Sequence, residues 1–148
     1  MVALKQYVYC KPRIDVARLR LGAQMLLDRC CVGGGWNAGN SVVYGVPLPA
    51  HVESTAIALL GLQGEADHPV IRAGMQWLEN AIISEQGISS LSWTVLCLAA
   101  YGRNFAARQR EIERALSAGY EHLNSAALAL AILALRCGEM IHPFIVPV

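Results

Sequence analysis

Lysine is nearly absent from this 148-residue chain: Lys5 and Lys11 stand against ten arginines. Aspartate is as scarce, at Asp15, Asp28 and Asp67 only. Charged residues make up 16% of the sequence and balance to +1. No basic field marks a nucleic-acid binder, and there is no polybasic tail. Long apolar runs are missing too. A membrane-spanning helix needs roughly 20 apolar residues, and the longest run, Ala126 to Leu135, falls well short. The N-terminus, MVALKQYVYCKPR, lacks the apolar core and small-residue cleavage site of a signal peptide. A cytoplasmic location is expected. The five cysteines, Cys10, Cys30, Cys31, Cys97 and Cys137, are odd in number and form no pair of CxxC clamps. That excludes a disulfide framework and a zinc ribbon, and leaves reduced, structural thiols.

What the chain has instead is apolar mass, at 55% of residues. Disordered chains are apolar-poor and charge-rich, so this one folds, and its length allows a substantial core. Three segments align on a glycine: RLGAQMLLD at Gly22, RAGMQWLEN at Gly74 and SAGYEHLNS at Gly119. The flanking polar positions step by four: Arg20, Gln24 and Asp28, then Arg72, Gln76 and Asn80, then Ser117, Glu121 and Ser125. Leu26, Leu78 and Leu123 fall on the opposite side. Each segment is expected to be an amphipathic helix with one wet face. His122 takes the register of Met25 and Trp77 and is expected to be half-buried.

A second segment follows each of these: ESTAIALLGLQG, SWTVLCLAAYG and ALALAILALRCG. These are apolar all round, as buried helices are. Each closes on a glycine, Gly64, Gly102 or Gly138, suited to a left-handed C-cap. Three hairpins result, over about 15–64, 68–102 and 105–138 in one all-α domain, each pairing an outer amphipathic helix with an inner buried one. The 31–49 link carries five glycines and two prolines and is expected to be non-helical. The 140–148 tail is apolar and proline-broken, and is expected to be extended and to need cover.

The run GGGWNAGN, then ESTAIALLGLQG, then HPVIRAGMQWLENAI resembles the repeat of terpenoid cyclases and protein prenyltransferase β-subunits. The resemblance covers residues 15 to 138 and is strongest over the first one and a half repeats. It implies an α/α toroid, with inner and outer helix rings around an apolar cavity. Cys30 stands where that family's loop motif has glutamine, and the second loop, EQGIS, has no tryptophan. Such loops brace neighbouring repeats in the family, so Trp36 is read as structural.

The family's chemistry does not carry over. No DxDD acid motif is present, and Asp28-Arg29-Cys30 has the zinc-ligand spacing but lies at the end of an outer helix. Ser54 stands where the zinc histidine would be, with His51 three residues earlier. The thioester-like Cys137-Gly138-Glu139-Met140 has methionine in place of the reacting glutamine. There is no GxSxG elbow, HExxH or phosphate loop. No catalytic residue, metal ligand or cofactor is assigned.

The toroid resemblance places a ligand at the cavity mouth, near the starts of the inner helices. The candidates are His51, Glu53, Ser54, Trp93 and Asn124. Glu53 is either a favourable charge at a helix N-terminus or a carboxylate facing an apolar cavity. Trp93 is either core or an aromatic wall for an isoprenoid-like ligand. Three hairpins make an incomplete ring, so a homo-oligomer or a partner protein is expected to complete it. A non-catalytic module binding a partner or an apolar ligand is the first expectation. Part of an isoprenoid-processing enzyme, with its catalytic residues outside this chain, is the second.

Overall fold

The computed structural model describes residues 16–81, 87–139 and 142–145. The described chain is all-α apart from one small hairpin. Its helices are α1 (Val16–Asp28), α2 (Val52–Gly61), α3 (Pro69–Ala81), α4 (Ile88–Ala100), α5 (Ala106–Ala118) and α6 (Ser125–Leu135). None is long and apolar enough to cross a membrane.

The two helix types of the sequence pattern build two layers. The apolar helices α2, α4 and α6 lie side by side, with α4 packed against both of the others. On them rest α3, which packs on α2, and α5, which packs on α4 and α6. In α3 the buried positions are Ile71, Gly74, Met75 and Leu78, the one-face spacing of an amphipathic helix. In α4 nearly every position from Leu91 to Leu98 is buried. Its buried Ser92 and the neighbouring Thr94 satisfy their hydroxyls on the carbonyls of Ile88 and Ser90, one turn back, at 2.7 and 2.8 Å. Side chains stitch the row together. The Tyr101 hydroxyl donates to the Leu59 carbonyl at 2.8 Å, tying the end of α4 to α2. Gln109 of α5 donates to the Ala134 carbonyl at 2.9 Å, at the open end of α6.

The 31–49 link is non-helical, as its composition requires. It contains a two-stranded hairpin, β1 (Val42–Val43) and β2 (Val46–Pro47), paired Val42 to Pro47 and Val43 to Val46. Tyr44 and Gly45 both have positive φ at the turn, the left-handed pair that a tight hairpin needs.

Several expectations are corrected. The third outer helix is not centred on Gly119. Helix α5 ends at Ala118, and Gly119 is its C-cap with φ +140°, outside helical conformation. Residues 119–123 form a turn, so Ser117, Glu121 and Ser125 share no helix face, and His122 is exposed rather than half-buried. Gly102 and Gly138 take the left-handed conformation past their helices, but Gly64 lies inside a 3₁₀ turn, Gln63–Glu65. Helix α6, apolar on all sides, buries only Ala127, Ala131 and Ala134. Within the tail, His142–Ile145 is a turn rather than an extended strand, with the Ile145 amide on the His142 carbonyl. The rest of 140–148, and Cys10 near the start, lie outside the described residues.

Candidate functional site

The glycine-rich loop and the start of α2 are locked together first. Trp36 is 2% exposed. Its indole nitrogen donates to the Leu26 carbonyl near the end of α1 at 2.6 Å. Its backbone amide donates to the buried Thr55 hydroxyl at 2.9 Å, and that hydroxyl lies 3.2 Å from the Trp36 carbonyl. Its ring lies against Gly74 of α3, where an added Cβ would sit 2.6 Å from Cζ3. One residue therefore joins α1, α2 and α3, the bracing role expected of it. The His51 amide donates to the Trp36 carbonyl at 2.8 Å, which sets where α2 begins.

This anchor positions one wall of a cleft of about 590 Å³. His51, Glu53 and Ser54 line it from the first turn of α2, and Ile57 from the next turn. Trp77 and Ala81 line it from the end of α3, and Ser90 from the first turn of α4. The Trp77 ring is pressed from behind by the loop, where a Cβ on Gly35 would meet its Cδ2 at 2.9 Å. A second cleft of about 530 Å³, lined by Gly33, Ala73, Gln76 and Asn80, shares Trp77 and Ala81 with the first. Among the described residues, neither lining contains a lysine or an arginine.

Three of the five sequence-selected residues thus meet in one cleft, and two do not. His51 is the N-cap residue of α2, exposed, with no side-chain cap bond. Glu53 is exposed in the first turn, where its charge suits the helix N-terminus. Trp93 is not at the start of α4, which begins at Ile88. Its ring packs on Phe144 of the C-terminal turn, with centroids 5.5 Å apart. Asn124 caps α6, its side-chain oxygen accepting from the Ala127 amide at 2.8 Å. Trp77 and Ser90 belong to the cleft and were not selected. The aligned tryptophan of the second repeat was the available signal for Trp77.

The cleft holds no nucleophile–base pair that the described hydrogen bonds connect. Among the described residues, no group of three or more His, Cys, Asp and Glu side chains is placed to hold a metal ion. Cys30, Cys31, Cys97 and Cys137 are free thiols. Burial pushes the Cys30, Cys97 and Cys137 thiols up, which keeps them protonated and unreactive at neutral pH. No family model, curated protein or solved structure matches the chain.

Proposed function

We propose that the chain is a non-catalytic helical-repeat module of the α/α toroid type, similar to prenyltransferase and terpenoid cyclase repeats. Its incomplete row is closed by a second copy of itself. The observation that carries this is the bare flank of α6. Helix α4 buries both flanks, against α2 and against α6. Helix α6 is as apolar but has one neighbour in the row among the described residues, and Ala129, Ile132 and Leu133 share an exposed face. Ile132 is 58% exposed and Leu133 37%. Every copy carries this same apolar flank, so two copies can cover each other's α6 without a foreign partner.

The clefts at the starts of α2 and α4 are where such a module would take an apolar ligand, against Trp77 and Ile57. Among the described residues, their lining offers no cation for a diphosphate group. Free thiols throughout the described chain fit a reducing compartment such as the cytoplasm.

Native mass spectrometry of the purified chain tests the proposal. The expected mass is twice the 16.0 kDa of one chain. Ile132→Asp, which puts a charge on the bare flank, is expected to give a folded monomer. A wild-type monomer at tens of micromolar, or an Ile132→Asp dimer as tight as wild type, would overturn the reading.

A further inference from the structure

The C-terminal turn His142–Ile145 is held by a set of contacts that only a neutral imidazole can make. The His142 Nε2 lies 2.8 Å from the Leu96 carbonyl in the body of α4, so it carries the proton and donates. The other ring nitrogen, Nδ1, accepts from the Phe144 amide at 3.1 Å. That bond closes the turn on itself, with Pro143 at the position that favours it. The turn then presents Phe144. Its ring covers Trp93, and its carbonyl accepts from Gln63 Nε2 beside the end of α2 at 2.7 Å. Five residues thus link α4, the 3₁₀ turn after α2 and the tail.

We propose that this turn is a proton-released clasp: protonation of His142 opens it and uncovers the Trp93 face of α4. A proton on Nδ1 would point a donor at the Phe144 amide, itself a donor, so the bond that closes the turn is lost. The imidazolium would also be half-buried, and the described residues around it bring no compensating charge. The turn's polar and ring contacts on α4 and at the end of α2 are the Leu96 carbonyl, Trp93 and Gln63, all uncharged. The titratable groups at the end of α4, Cys97 and Tyr101, are pushed up by burial and stay neutral. Helix α6 has no titratable side chain, and Arg136 and Glu139 beyond it are exposed and lie 3.7 Å from each other. Glu53 of α2 and Glu65 of its 3₁₀ turn are exposed.

Burial lowers the affinity of His142 for a proton below the ordinary value of 6.5, more than its hydrogen bond to Leu96 raises it. The docked turn therefore binds fewer protons than the free one. Docking is complete above pH 6.5 and weakens as pH falls below it.

The test is an NMR titration of the full chain from pH 7.5 to 4.5. It follows the Trp93 indole N–H signal, assigned by its loss in Trp93→Phe. The signal is expected to move with one midpoint below 6.5, while helical circular dichroism stays constant. In His142→Gln, which can still donate to Leu96 but does not titrate, the signal is expected to stay put. A stationary wild-type signal, a midpoint at or above 6.5, the same movement in His142→Gln, or loss of helix in step with the signal would each overturn the proposal.

Discussion

Gly74→Ala puts the central packing claim at risk, because two effects of opposite sign meet there. In an ordinary helix interior, replacing glycine by alanine stabilises by about 1 kcal/mol, since alanine restricts the unfolded chain and suits the helix. Gly74 lies mid-helix in α3, so the same gain is available. Its Cβ, however, would lie 2.6 Å from Trp36 Cζ3, 3.1 Å from Cη2 and 3.4 Å from Leu59 Cδ2. The first two belong to a rigid ring. That ring cannot swing outward freely, because its nitrogen is held on Leu26 and its backbone on Thr55. Overpacking of this kind costs about 1–3 kcal/mol. If the indole shifts far enough to break its bond to Leu26, about 1 kcal/mol more is lost.

The opposing terms leave a net destabilisation of about 2 kcal/mol, or roughly 4–8 °C in Tm for a chain of this size. Urea unfolding followed by circular dichroism measures it. Gly39→Ala is the control, since a Cβ there meets nothing within 4 Å and the backbone is not left-handed. It should be neutral or slightly stabilising. Trp36→Phe, combined with Gly74→Ala, should cost less than the sum of the two single changes, because the smaller ring makes room for the new methyl. A Gly74→Ala protein more stable than wild type by the full helix-propensity gain would refute the wedge of Trp36 against α3, and with it the joining of the first three helices.

Further predictions address the anchor at the start of α2 and the cap of α6. Thr55→Val keeps the side-chain shape but leaves the Trp36 amide without its 2.9 Å partner in a buried position. It should lower stability by about 1–3 kcal/mol in the same urea assay. Asn124→Ala removes the α6 cap and should cost about 1 kcal/mol, largely restored by Asn124→Asp or Asn124→Ser. Ligand titrations that respond to Ser90 or Trp77 substitutions but not to Asn124→Ala would agree with its place outside the cleft.

How far the fold could be read from the residues depended on whether period and punctuation agreed. In α3 they did. Pro69 opens the helix, and Ile71, Gly74, Met75 and Leu78 mark one face, so its position was legible almost to the residue. Around Gly119 they conflicted. The polar spacing of SAGYEHLNS copies that of the other outer helices, yet the helix lies earlier, over Ala106–Ala118. That segment, AARQREIERALSA, is charge-rich and buries only Ile112, so its apolar period is faint. A glycine serves a close helix contact in one repeat and ends a helix in another, and residue identity does not distinguish the two uses. Gly74 yields space to an indole, while Gly119 supplies a φ that other residues rarely adopt.

The cleft divides the same way. His51, Glu53 and Ser54 are neighbours in the chain, so finding one found all three. Trp77 and Ser90 reach the cleft only because α3 and α4 pack where they do, which local pattern does not encode. Trp93 shows the cost of a misplaced boundary. With Ile88 rather than Ser92 opening α4, the aromatic moves beyond the first turn, and the residue left at the cleft is Ser90. The Trp93 ring is instead covered by Phe144, from a tail whose apolar character required a cover but did not say which helix would provide it. An aromatic near the start of an inner helix is therefore evidence for a ligand wall only once the helix start is fixed by its own capping geometry.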